Sequence, residues 1–138
     1  MSQVITPTGF AKDAWADIAL PTIDEYEGGA GVLLPVDAAP EAALPHFDTL
    51  KLIVVPFGSS ADGRGFSQAA QLRGLGFTGH IRARGHVLVD QFRAALRSGF
   101  TDIEITDEQA ARNPEHQWVS VPMAAGYQSR VFGGEVRP

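Results

Sequence analysis

Leu52-Ile53-Val54-Val55-Pro56-Phe57 is followed within a few residues by Ala61-Asp62-Gly63-Arg64-Gly65-Phe66-Ser67-Gln68. A short apolar run without polar interruption reads as a strand buried on both faces, as in a parallel sheet. The glycine-rich loop behind it opens into a helical stripe of Phe66, Ala69, Ala70 and Leu72. Strand, loop and helix in that order form a βα unit, and α/β proteins place their chemistry on such loops. Pro56 has no N–H to give to a ladder, so pairing is expected to stop there.

The same alternation extends in both directions. Upstream, Gly31-Val32-Leu33-Leu34-Pro35-Val36 is a second all-apolar run closed by Asp37, and Pro40-Glu41-Ala42-Ala43-Leu44 suits a short helix that begins with proline and ends at Pro45. Downstream, Gly74-Leu75-Gly76 stops the first helix. His80 to Gly85 then alternates, with Ile81 and Ala83 on one side and Arg82 and Arg84 on the other. Leu88, Phe92, Ala95 and Leu96 share one helix face, and Gly99 stands where a helix-ending glycine belongs. Phe100 to Ile105 alternates again, and Thr106-Asp107-Glu108-Gln109 carries capping residues for a short helix that Pro114 ends.

Connections of this length exclude hairpins and call for parallel strands with crossovers. The expected fold class is α/β, with about four βα units around a mainly parallel sheet, either open and doubly wound or curved like a half-barrel. The charged positions Arg82, Arg84, Asp102 and Glu104 favour a sheet with one polar side. The chain reads as a single domain over 1–138. Residues 1–29 are a weakly patterned cover segment with Trp15 as a packing anchor. Residues 117–138 hold one further strand, Trp118 to Val121, and a polar tail suited to a contact in a homo-oligomer.

Composition excludes several functions. The 138 residues carry 11 Lys and Arg against 16 Asp and Glu, a net charge of −5, which argues against the basic surface that nucleic acid requires. There is no cysteine, hence no disulfide, thiolate nucleophile or cysteine-ligated cluster. No apolar run approaches the ~18 residues of a membrane span, and the N-terminus lacks a signal-peptide pattern, so the chain reads as cytoplasmic.

Loops that follow parallel strands collect on one edge. That edge should gather Asp37, the loop from Ser59 to Ser67, the Arg84-Gly85-His86 turn and Thr106-Asp107. The candidate ligand-binding residues are Asp62, Gly63, Arg64, Gly65, Ser67, Gln68, Arg84 and His86. The two glycines let backbone N–H groups approach a ligand, the following helix N-terminus favours an anion, and Arg64 adds a full charge that Asp62 can orient. Ser67, His86 and Asp62 contain the residue types of a hydrolytic triad, but the nucleophile-elbow pattern is absent and no catalytic residue is assigned. The four histidines share no ligand spacing, so no metal site is expected, and His80 reads as a strand-edge surface residue. Gly74-Leu75-Gly76-Phe77-Thr78-Gly79 matches G-x-G-x-x-G but runs from helix to strand, the reverse of a dinucleotide fingerprint. No cofactor motif is recognisable. Asp90 suits a helix start, and Gln91 a structural hydrogen bond.

Asp62 to Ala69, Leu72-Arg73, Leu75-Gly76-Phe77, Gly79, Leu88, Asp90-Gln91, Arg97 and Gly99-Phe100 together resemble an uncharacterised bacterial family. Its genes lie beside those for sulfite reductase and the phosphoadenylylsulfate-reducing enzyme, and its members are often labelled probable oxidoreductases of sulfite reduction. The likeness is strong over residues 50–106 and extends weakly to Trp15, Gly31 to Leu34 and Tyr127-Gln128. It implies an accessory role in assimilatory sulfate or sulfite reduction, through binding of a small oxyanion or nucleotide at the strand-end edge. It also leaves open an adaptor that docks onto sulfite reductase or its electron donor, and a flavin or nicotinamide oxidoreductase. This chain departs from the family pattern at Arg84, where an apolar residue is usual, at His86, where an acid is usual, and at Ser59-Ser60, where a basic residue is common.

Overall fold

A computed structural model describes residues 2–13, 15, 18–58, 63–85 and 87–119. Six strands form one sheet in the order β2-β1-β6-β5-β4-β3. They are β1 Ser2–Thr6, β2 Gly9–Ala11, β3 Gly31–Leu33, β4 Leu52–Phe57, β5 His80–Gly85 and β6 Asp102–Thr106. The helices are α1 Arg64–Gly74, α2 Phe92–Ser98, α3 Asp107–Arg112 and α4 Glu115–Val119, with 3-10 turns at Ile23–Glu25, Pro40–His46 and Val89–Gln91.

Strands β3 to β6 are all parallel, and neighbours in sequence are neighbours in the sheet. Strand order therefore never reverses, as it must in a doubly wound sheet, and right-handed crossovers all lie on one side. The arrangement is the progressive winding of a half-barrel, extended by an antiparallel β1–β2 hairpin rather than closed. Side-chain alternation shows the consequence. Ile53, Val55, Phe57, Ile81, Ala83, Ile103 and Ile105 form the core with Ala69 and Leu72 of α1 and Phe92 and Ala95 of α2. Gly99 ends α2 in the left-handed region, at φ 118°, where a side chain would be strained.

Pairing runs on through Pro56 to Phe57, against expectation. The Leu52 N–H donates to Ala30 O, and Val54 O accepts from the Leu34 N–H, so even-numbered residues of β4 bond towards β3. Pro56 belongs to that set and lies beyond the end of β3, so its missing N–H breaks no bond to β5.

Three further expectations are corrected. Residues 2–11 form two strands of the sheet, with β1 pairing to β6 from Ser2↔Thr106 to Ile5↔Ile103. Their brevity and the lack of apolar alternation in Ser2-Gln3-Val4-Ile5-Thr6 and Gly9-Phe10-Ala11 hide them among turn-like residues. Trp118 lies in helix α4, not in a strand; its indole N–H donates to Asn113 O at 2.8 Å and its ring meets Phe92 edge-on. Leu88 also leaves the face of α2 and stands 51% exposed ahead of it, while Gln91 Oε1 accepts the Leu88 N–H, the structural bond expected of Gln91. Thr106 caps α3 by accepting the Gln109 N–H. Residues 120–138, with Tyr127 and Gln128, lie outside the described residues.

Candidate functional site

The C-terminal ends of β3, β4, β5 and β6 share one edge, as parallel pairing requires. There α1 begins at Arg64 with Gly63, which has no side chain, as its N-cap. A pocket of about 180 Å³ opens beside this turn, lined by Val36, Ala38, Pro40, Arg64, Ser67, Gln68 and Gln71. Arg64, Ser67 and Gln68 are thus brought together, and a Cβ at Gly63 would meet nothing within 4 Å. Asp62 and His86, like Ser59 and Ser60, lie outside the described residues.

Two of the expected ligand residues have structural duties. A Cβ on Gly65 would land in the Phe57 ring, so this glycine lets α1 sit directly on β4. Gln68 is buried, and its Nε2 donates to Pro35 O at 2.7 Å and to Ala38 O at 2.9 Å. It thereby fixes the loop after β3 that forms the far wall of the pocket. Arg84 points to the opposite face of the sheet, where its Nε donates to Glu104 Oε1 at 3.2 Å.

That opposite face carries a charge network. Arg82, only 2% exposed, donates from Nε to Asp102 Oδ1, from Nη2 to Asp102 Oδ2 and from Nη1 to Asp13 Oδ1. Burial by itself would push the Arg82 guanidinium down, but its bonds to Asp102 and Asp13 and their charges prevail and hold it above its usual value. Burial would likewise raise Asp13, yet Arg82, the Trp15 backbone N–H and the charge of Arg84 hold its carboxyl below the ordinary range. His80 joins the network through Nε2 to Asp102 Oδ2 at 2.8 Å, while the Trp15 indole N–H reaches His80 Nδ1 at 3.3 Å. An indole only donates, so Nδ1 accepts and Nε2 carries the proton. His80 is therefore an anchored residue and not the surface residue expected. Asp13, Trp15, Ile18 and Leu20 cover this face. The last two lie against Gly31, where a Cβ would come within 3.0 Å of Ile18 Cδ1.

A second cavity is at the other end of the parallel strands. It is a groove of about 490 Å³ lined by Trp15, Phe47, Leu50, Lys51, Arg73, Thr78, Gly79, His80 and Thr101. Arg73 is anchored there: Nε donates to Gly99 O at 3.0 Å, Nη1 to Phe77 O and Gly79 O, and Nη2 to Thr101 Oγ1. Burial pushes its guanidinium below the usual value. Sequence reading missed the groove and the network. The alternation of His80, Arg82 and Arg84 against Asp102 and Glu104 was a visible signal, but Asp13 and Trp15 reach partners more than sixty residues away and carry none.

Residues 31–135 match the model of a family described as "Bacterial protein of unknown function (DUF934)". No curated protein matches the chain, and no solved structure does. No helix among the described residues is long and apolar enough to cross a membrane.

Proposed function

We propose, from the premise that the chain belongs to this family of bacterial proteins, that it is an accessory protein of assimilatory sulfate or sulfite reduction which binds a small oxyanion at the N-terminus of α1. The observation that carries the reading is the composition of the pocket. Among the described residues its wall holds the Arg64 guanidinium, the Ser67 hydroxyl and the Gln71 amide, and no carboxylate, while the Gln68 amide is spent on Pro35 O and Ala38 O. A helix of 11 residues points the positive end of its dipole at this corner. Arginine suits the planar faces and paired oxygens of sulfite and sulfate. A volume of about 180 Å³ admits such an ion with some of its water and is small for a nucleotide. The sulfur context comes from the resemblance of the Asp62 to Ala69 run to a family encoded beside sulfite reductase. The role is one of binding, with turnover left to the enzymes it would serve.

Titration calorimetry and thermal shift with sulfite, sulfate and phosphate test the reading. Saturable binding is expected, weakened about tenfold in Arg64→Ala, the loss of one charge-assisted contact. An absence of saturable heat with all three ions, or equal affinity in Arg64→Ala, defeats it.

A further inference from the structure

We propose that the groove at the strand-start edge is a second binding site, for an aromatic oxyanion the size of a nucleoside monophosphate. Its charge is selective. The chain as a whole is acidic, yet among the described residues the groove is lined by Lys51 and Arg73 and by no carboxylate. Asp102, bonded to His80, keeps only 4% of its side chain exposed. Among the described residues nothing pairs with the Lys51 ammonium. Arg73 spends four of its five N–H groups on Gly99, Phe77, Gly79 and Thr101, which leaves one on Nη2 for the groove. Because those bonds already hold the guanidinium still, a ligand meets a preorganised donor and little side-chain entropy is lost on binding.

The size and the remaining walls name the rest of the ligand. At about 490 Å³ the groove far exceeds a bare phosphate or sulfate and falls within the ~300–1,000 Å³ typical of small-molecule sites. Trp15 and Phe47 supply flat apolar surface, and Thr78 an exposed hydroxyl. The Trp15 indole is held by His80 Nδ1, and Phe47 packs against Phe77 with ring centroids 5.1 Å apart. Fixed aromatic surface beside two cations suits a ring that carries a phosphate or sulfate ester. The site is separate from the α1 pocket and shares no lining residue with it.

The test is calorimetry of the full chain with adenosine 5′-monophosphate, adenosine alone and inorganic phosphate. The monophosphate is expected to bind saturably and at least about tenfold more tightly than either half alone. Lys51 is exposed and its side chain makes no described polar contact, so Lys51→Ala should fold as the parent and lose about tenfold in affinity. The chain has two tryptophans and Trp118 is 1% exposed, so a ligand-dependent change in emission should come from Trp15 and vanish in Trp15→Phe. The proposal is overturned by a lack of saturable binding, by unchanged affinity in Lys51→Ala, by phosphate binding as tightly as the monophosphate, or by affinity that falls in Arg64→Ala instead. The last result would place the nucleotide in the α1 pocket, so failure here and failure of the oxyanion reading are distinguishable.

Discussion

Arg82 and Asp102 face each other in register on β5 and β6 and share two hydrogen bonds, Nε to Oδ1 at 2.9 Å and Nη2 to Oδ2 at 3.1 Å. Both residues are buried. Removing one member of such a pair strands a charge in the interior and costs about 3–5 kcal/mol. Asp102→Ala should lose stability on that scale in urea unfolding. The double variant Arg82→Met/Asp102→Leu should lose clearly less than the sum of its parts, because no orphaned charge remains between the two positions.

Asp13 makes part of the stability depend on pH. Its carboxyl is held below the ordinary range in the folded chain by Arg82, the Trp15 N–H and Arg84, against the opposing effect of burial. A depressed carboxylate contributes stability above its unfolded pKa of ~3.9, and that contribution is lost as pH falls through the lower folded value. The urea midpoint of Asp13→Asn should therefore lie below that of the parent at pH 6 and converge with it as pH falls below the unfolded pKa of ~3.9 and through the lowered folded value. Curves that stay equally separated across that range would contradict the assignment.

The two glycines at the start of α1 should respond differently to alanine. At Gly65 the new methyl meets the Phe57 ring, itself in edge contact with Phe66 at a centroid distance of 5.4 Å, so the ring has little freedom to yield. A loss of about 1–3 kcal/mol is expected for Gly65→Ala from overpacking. Gly63 has φ −74° and open space, so Gly63→Ala should stay within about 0.5 kcal/mol of the parent. Thermal melts of the two variants, read side by side, decide the point.

Gln68 links the fold to the pocket. Gln68→Leu leaves Pro35 O and Ala38 O without their amide donor and should cost about 1–3 kcal/mol in chemical unfolding. The same change should speed amide exchange at Ala38, whose N–H donates to Pro35 O at 2.9 Å. A variant as stable as the parent would mean that the loop after β3 is held by other contacts.

The central βα units were legible because their signals are local. His80 to Gly85 matches β5 residue for residue, and Gly99 ends α2 where its spacing places it. What escaped was set by distant partners. Strands β1 and β2 are stabilised by β6 and by Glu115, whose Oε2 accepts the Phe10 N–H at 2.8 Å, and no local pattern announces them. Gly65 looked like a ligand-facing glycine because its sequence neighbours do not reveal the Phe57 ring beneath it. Arg84 was grouped with Arg64 by edge alone; the alternation that sets Arg82 and Arg84 apart from Ile81 and Ala83 already placed it on the other face. The groove was invisible because Trp15, Lys51, Arg73 and His80 meet only when the cover segment lies across the sheet.

The pairing of β1 with β6 bears on how the chain assembles during synthesis. Ser2–Thr6 leaves the ribosome about 100 residues ahead of Asp102–Thr106, the strand it lies against. Until then it can pair only with β2, and a two-stranded hairpin of this length is marginal in water. The parallel units can form in order of translation as each strand meets its predecessor, whereas the hairpin docks after β6 is made. Strand β1 is thus translated well before the strand that locks it in place.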